Sequence, residues 1–264
     1  MCGLYRTVSV NYQIVILFRA DWNHRLRDEK EIGVRMGTFQ VVEHFVSING
    51  EGRRAGQLAQ FIRFAGCNLS CEYCDTKWAN EAGVFVIEYS EEELYQLIRK
   101  NGVANVTLTG GEPLLQKDMD SLLKRLRQDV ELHIEIETNG SVDITRFFAG
   151  EETFAESDNV TFTLDYKLSG SRMEQAMFLP NFQNVRAKDT VKFVVAGEKD
   201  LLRSKEIIEQ YDLIKKGCGI YISPCFGKIE PEEIVRFMIE QNLNHVNMQL
   251  QLHKFIWDPD KRGV

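Results

Sequence analysis

At 264 residues, 44% hydrophobic and 27% charged, the chain can bury a substantial core, and its composition excludes a disordered or collagenous protein. Its 32 Lys plus Arg against 39 Asp plus Glu leave a net charge of -7, which argues against a broad cationic surface for nucleic acid and for a small-molecule partner.

Residues 1–35 differ in pattern from the remainder of the chain. A short alternating run, NYQIVILF, precedes the charged stretch DWNHRLRDEKE, and three readings stay open: an edge strand with a linker, a family-specific extension, or translation begun upstream of Met36. The apolar run Ile14 to Phe18 is far short of the roughly 17 residues that a membrane span needs, and no A-x-A-like cleavage site succeeds it. The expectation is a cytoplasmic protein with no membrane contact and no direct nucleic-acid partner.

From Val41 the pattern becomes regular. LAQFIRFA (Leu58 to Ala65) reads as a strand, and Ser90 with Glu93 three residues later forms a capping box for the helical run EEELYQLIRK. NVTLT (Asn105 to Thr109) is the next strand, followed by GGEP and an amphipathic helix over Lys117 to Leu126. LHIEIET (Leu132 to Thr138) alternates and stops at the turn Asn139-Gly140. VTFTLDYK (Val160 to Lys167), TVKFVV (Thr190 to Val195) and CGIYISP (Cys218 to Pro224) read as further strands, with helices over Lys199 to Lys216 and Pro231 to Gln241 and a last strand within Asn244 to His253. Repeated strand-helix units predict an α/β fold with a mainly parallel sheet, open or wrapped as a partial (β/α) barrel, and residues 36–264 read as one catalytic domain.

Such a sheet binds ligands at the C-terminal ends of its strands. Four polar segments fall there: the cysteines after the first strand, Gly110 to Pro113 after the next, Glu137 to Gly140 after the third and Asp165 to Ser169 after the fourth. The cysteines are Cys2, Cys67, Cys71, Cys74, Cys218 and Cys225; three are clustered and the others scattered, which fits a metal or redox centre in a reducing compartment better than a disulfide framework. In CNLSCEYCDT three thiolates can hold three corners of a soft-metal centre, either zinc or an iron-sulfur cluster. The nearest histidines, His44 and His133, lie outside usual zinc-site spacing. Cys71 and Cys74 alone would make a redox dithiol, which leaves Cys67 unexplained, and plain core cysteines are the fourth reading.

C-x3-C-x2-C followed by a Gly-Gly-Glu-Pro strand end resembles the radical S-adenosylmethionine superfamily. The resemblance implies that Cys67, Cys71 and Cys74 ligate a 4Fe-4S cluster whose open iron takes the methionyl amine and carboxylate of S-adenosylmethionine. Reductive cleavage of the sulfonium would then give a radical that removes a substrate hydrogen. Gly110, Gly111, Glu112 and Pro113 would bind the methionyl amino group, and paired glycines with a helix-opening proline suit close backbone approach.

Over about residues 36–257 the flanking segments are similar to the 7-carboxy-7-deazaguanine synthase family: HFVSINGEGRRAG, FIRFAGCNLSCEYCDTKWA, TLTGGEP, IETNG and QLHKFIW. That resemblance implies ring contraction of 6-carboxy-5,6,7,8-tetrahydropterin with loss of ammonia, on the route to queuosine and other deazapurines. It also implies a homodimer, a magnesium ion (Mg2+) and an electron donor such as a flavodoxin or ferredoxin. Glu51 and Arg63 fall at pterin-contacting positions, where a carboxylate facing an amidine edge and an arginine facing a carboxylate are chemically sensible. Ser47, Asn49 and Gly50 share the substrate loop, with Asn49 in place of the more usual glutamine, and His253 matches a histidine near the substrate. Thr76 resembles the hydroxyl that coordinates magnesium, with Asp75 beside it. Thr138, Lys167, Ser169 and Pro224 are implied cofactor contacts, with Asn139 and Asp165 as further candidates.

Two rivals are a glycyl-radical activating enzyme, which would consume S-adenosylmethionine on a protein substrate, and a non-catalytic zinc scaffold, which the GGEP, ETNG and QLHK segments disfavour.

Overall fold

Strands Leu58–Phe64, Asn105–Gly110, His133–Thr138, Val160–Asp165, Thr190–Val195 and Gly219–Pro224 run parallel, each separated from the next by helical or looped crossovers. This computed structural model describes residues 38–148 and 159–264. The expected strand NYQIVILF, the linker after it and Cys2 lie outside the described residues. Residues from Gly37 to Val264 cluster as one unit.

Numbered along the chain, the strands are β1 (Phe39–Ile48), β2 (Leu58–Phe64), β3 (Ile87–Tyr89), β4 (Asn105–Gly110), β5 (His133–Thr138), β6 (Val160–Asp165), β7 (Thr190–Val195), β8 (Gly219–Pro224) and β9 (Asn247–Met248). They form one open sheet in the order β3-β1-β2-β4-β5-β6-β7-β8-β9. β1 is antiparallel to both β2 and β3, and every pair from β2 to β9 is parallel. The architecture is the mainly parallel α/β fold that the alternating pattern predicts, left open rather than closed into a full barrel.

Side chains of a strand alternate between faces, and here the alternation sorts by polarity. Val106 and Leu108, Ile134 and Ile136, Phe162 and Leu164, Val191 and Phe193, and Ile220 and Ile222 are all at most 1% exposed and join one apolar core. Each contributes on the order of 1.5–3 kcal/mol by leaving water. The intervening residues, Thr107, Thr109, Glu135, Glu137, Thr163, Asp165, Lys192 and Ser223, are polar and face the other way. Parallel sheets are usually apolar on both faces, so a polar inner face marks the side that carries function.

Helices cover the apolar side. α1 (Glu91–Lys100) starts at the predicted capping box: Ser90 Oγ accepts from Glu93 N at 3.3 Å, and Glu93 Oε2 accepts from Ser90 N at 2.7 Å. α2 (Met119–Arg127) buries Met119, Leu122, Leu123 and Leu126 at helical spacing. α3 (Pro180–Asn184) and α4 (Glu198–Gln210) come next. The helix expected over Lys199 to Lys216 is broken, because Asp212 turns into the left-handed region at φ 50° before α5 (Leu213–Lys216). α6 (Pro231–Glu240) begins with a proline in its first turn.

The last strand is also shorter than expected. Only Asn247 and Met248 pair with β8, after which Gln249 and Gln251 turn their amides toward Glu51 and the chain leaves the ladder for α7 (His253–Ile256).

The glycines after β4 are required by packing against the cysteine-bearing loop. A Cβ on Gly110, whose φ is +136°, would lie 2.3 Å from Phe64 O, and one on Gly111 would lie 1.9 Å from Gly66 O. Glu112 N donates to Gly66 O at 2.8 Å, so the two strand ends are locked backbone to backbone. Gly111→Ala should therefore separate the cysteine loop from β4, with a lower melting temperature and iron incorporation well below wild type, measured by calorimetry and iron-sulfide analysis.

Candidate active site

At the C-terminal ends of the strands lies a cavity of about 680 Å³. Its wall includes Cys67, Cys71, Cys74 and Thr76 from the loop after β2, Gly110 and Gly111 after β4, Thr138 and Asn139 after β5, and Lys167 after β6. From the opposite side come Gly50, Glu51, Arg63 and His253. Twelve of the predicted site residues thus share one wall: Gly50, Glu51, Arg63, Cys67, Cys71, Cys74, Thr76, Gly110, Gly111, Thr138, Lys167 and His253. Ser47, Asn49, Glu112, Pro113, Ser169 and Pro224 stand behind it.

The cysteine loop has the chemistry of an anionic sulfur centre. Cys67 Sγ accepts from Leu69 N at 3.4 Å and from Asn139 Nδ2 at 3.6 Å, and Cys74 Sγ lies 3.6 Å from Thr76 Oγ1. Hydrogen bonds to sulfur are one means by which a protein tunes an iron-sulfur cluster. Burial pushes the Cys71 thiol up, Lys167 opposes this, and the neighbouring Cys74 and Cys67 add to it. Among the described residues, no three His, Cys, Asp or Glu side chains are gathered as the ligands of a single metal ion. The donor set of three thiols on one loop, facing a roomy cavity, fits a 4Fe-4S cluster, whose ligands are cysteine thiolates. Cys218 is apart from it, its thiol donating to Leu213 O and pushed up to about 11 by burial, while Cys225 is buried at the cavity wall.

Glu112 braces the cysteine side of the cavity. Wholly buried, it accepts from Leu114 N at 3.1 Å, Thr138 Oγ1 at 2.9 Å and Asn139 N at 2.7 Å, tying the GGEP turn to the end of β5. Burial pushes its carboxyl up to about 7 despite these bonds. Ser169 plays a similar part, donating to Asp200 Oδ1 at 2.7 Å, and Pro224 closes β8 at the rim.

On the other side Glu51 is held by four donors: Lys192 Nζ at 3.1 Å and Gln251 Nε2 at 3.4 Å on one oxygen, Ser223 Oγ at 2.9 Å and Gln249 Nε2 at 3.4 Å on the other. Lys192 also lies 3.7 Å from Asp165, which Lys167 contacts at 2.7 Å. Burial disfavours the Lys192 charge, but Glu51, Asp165 and Glu137 outweigh it and hold the ammonium well above the ordinary lysine range. Burial likewise disfavours ionised Asp165, yet Lys167 and Lys192 keep it below its usual value. Among the described residues, Asp165 Oδ1 is buried without a hydrogen-bond partner at the cavity wall, an acceptor open to a ligand. His253 is lowered by burial, so the neutral imidazole prevails near pH 7, and its Nδ1 lies 2.8 Å from where a Cβ on Gly50 would sit. Asn49 is turned away, accepting from Thr107 Oγ1 at 2.8 Å at the foot of the loop after β1.

Lys192 and Thr109 were not anticipated as wall residues, while Glu137 falls at a strand end expected to face the mouth. Thr109 Oγ1 donates to Glu137 Oε2 at 2.9 Å, and all three line the cavity. The signal for Lys192 and Thr109 was a polar side chain on the strand face opposite the apolar core.

The fold, the three-cysteine loop and the GGEP strand end define a radical S-adenosylmethionine enzyme, and residues 61–163 match the Radical SAM superfamily. Such an enzyme uses a 4Fe-4S cluster and S-adenosylmethionine. The chain is 53% identical over 227 residues to the 7-carboxy-7-deazaguanine synthase of Clostridium acetobutylicum, covering 86% of this chain and 99% of that protein. It is 36% identical over 229 residues to the synthase of Chlorobaculum tepidum, covering 85% and 96%. The chain belongs to the 7-carboxy-7-deazaguanine synthase family. The crystal structure of QueE from Escherichia coli is similar in fold, with a TM-score of 0.58 and 23% identity over 80% of this chain and 94% of that one.

Burial and the neighbouring Glu137 push Glu135 from 4.5 up to about 7, against the hydrogen bond from Thr163 Oγ1. Below the lower value both folded and unfolded chains carry the proton. As pH rises toward the higher value only the unfolded chain ionises, so stability falls across this window and levels off above it. Glu135→Gln removes the titration and should stabilise the protein at alkaline pH by up to about 3 kcal/mol relative to wild type. The advantage should vanish below the window, as thermal melts across a pH series will show.

Proposed function

We propose that this chain contracts the ring of 6-carboxy-5,6,7,8-tetrahydropterin to 7-carboxy-7-deazaguanine with release of ammonia, a step toward queuosine and other deazapurines. The observation that carries the reading is one cavity with three cysteine thiols and a glycine-walled strand end on one side, and Glu51, Arg63 and His253 on the other. When bound, the reduced cluster and S-adenosylmethionine supply hydrogen-atom abstraction from carbon.

The chain's own residues select and orient. Glu51, paired with Lys192, is an acceptor for the amidine edge of the pterin, and Arg63 is a donor for its carboxylate. Neutral His253 adds a hydrogen-bonding group without a charge. Gly50 admits His253 against the loop, while Ser47 and Asn49, both buried, hold the loop's shape. Gly110, Gly111, Thr138 and Lys167 form the wall for S-adenosylmethionine. Glu112, Pro113, Ser169 and Pro224 act through the segments that they fix.

A magnesium ion fits the oxygen donors at the same mouth. Thr76 offers a hydroxyl, Asp75 a half-exposed carboxylate beside it, and magnesium accepts such a sparse set because it retains waters and takes substrate oxygens. The catalytic unit spans residues 36–264, with residues 1–35 as an extension. Homodimerisation, reduction by a flavodoxin or ferredoxin and cytoplasmic residence follow from the family resemblance. Among the described residues no helix is long and apolar enough to cross a membrane.

Anaerobic assay of the iron-reconstituted protein with the tetrahydropterin, S-adenosylmethionine, magnesium and a strong reductant tests the reading by mass spectrometry. The expected result is 7-carboxy-7-deazaguanine in many-fold excess over 5'-deoxyadenosine. Cleavage of S-adenosylmethionine with the pterin untouched would sink the substrate assignment and leave the radical chemistry standing.

A further inference from the structure

β1 and β2 set Glu43 opposite Arg63 and, two positions along the same face, Phe45 opposite Phe61. All four side chains reach the cavity. The two rings stack at 5.0 Å between centroids with an interplanar angle of 11°, making a flat apolar wall next to the ion pair. Glu43 Oε1 accepts from Arg63 Nε at 2.7 Å, and the two side chains are 19% and 16% exposed, respectively.

Which nitrogen Glu43 takes matters. A guanidinium presents its five N–H groups in a rigid planar fork, and a carboxylate docks along the side edge that contains Nε or along the end edge formed by the two Nη groups. Glu43 occupies the side edge. Among the described residues, no protein acceptor takes either Nη of Arg63. The end edge is thus the one left to a ligand, with its plane fixed by a partner on the neighbouring strand.

We propose that Glu43 is a positioning residue: by holding Nε it fixes the plane of the Arg63 guanidinium so that the end edge receives the substrate's carboxylate. This rests on the reading of Arg63 as the group that takes that carboxylate. Glu43 acts in two opposed ways, since its hydrogen bond orients the arginine while its charge repels an incoming anion. A useful test separates them. Glu43→Gln keeps an acceptor for Nε and removes the charge; Glu43→Ala removes both.

The measurement is equilibrium binding, under anaerobic conditions, of 6-carboxy-5,6,7,8-tetrahydropterin and of 6-methyl-5,6,7,8-tetrahydropterin to the cluster-loaded protein, with cluster content matched between variants. Glu43→Ala should weaken the carboxylated ligand about tenfold and leave the methyl ligand within about twofold, and Glu43→Gln should recover most of the loss. Arg63→Ala should show a larger loss, again confined to the carboxylated ligand. Unchanged or tighter binding of the carboxylated pterin by Glu43→Ala, or equal weakening of both ligands, overturns the positioning role. If Arg63→Ala itself weakens both ligands equally, the assignment of Arg63 falls and the proposal falls with it; a selective loss there without one in Glu43→Ala removes the proposal alone.

Discussion

The contact between Gly111 and the carbonyl of Gly66 fixes the distance between the cysteine loop and the strand ends, and the rest of the mouth is built on that distance. No side chain fits between the two backbones. The hydrogen bond from Glu112 N to Gly66 O makes the approach specific, and the Glu112 carboxylate then carries it across to Thr138 and Asn139. Asn139 returns to Cys67 through its amide, closing a ring of contacts from loop to strand to loop. The cysteine loop, the GGEP turn and the end of β5 are therefore set by one connected arrangement of backbone and side-chain hydrogen bonds rather than by independently placed groups.

The polar inner face of the sheet poses an electrostatic problem that Lys192 and Lys167 answer. Glu51, Glu137 and Asp165 project into a space of low polarisability, where an unpaired charge costs several kcal/mol. Lys192 stands between Glu51 and Asp165, and Lys167 takes the same Asp165 oxygen, so Asp165 is held below its usual value in spite of its burial. Glu135, one layer deeper, has only Thr163 as its hydrogen-bond donor among the described residues and moves toward neutrality instead. Two outcomes, pairing at Asp165 and movement toward neutrality at Glu135, thus occur on the inner face of two adjacent strands.

Much of this was legible in the sequence, for identifiable reasons. The six parallel strands β2, β4, β5, β6, β7 and β8 showed themselves by apolar patterning and by turn residues, whereas β1 and β3 did not read as strands, and the capping box at Ser90 and Glu93 marked the start of α1. The cysteine triplet and GGEP were legible because their chemistry is local. What escaped were properties of long-range packing: the break at Asp212, the early end of β9, and the turning of Asn49 toward Thr107. Glu43 was equally silent, since its meaning comes from lying across the ladder from Arg63. The role of Gly110 and Gly111 was legible only in part, for the sequence announces close approach without saying what approaches, and here Phe64 and Gly66 do.

An open sheet leaves two borders, and here they are guarded by economy. β3 contributes three residues at one border and β9 two at the other. A long bare strand would offer a row of unused amides and carbonyls on which a second chain could extend the ladder. Stubs of this length offer few such groups themselves, yet they cover only Phe39 to Val41 of β1 and Tyr221 and Ile222 of β8. The fold keeps its mouth unclosed, and the two end strands shield only part of the margins that full closure into a barrel would hide.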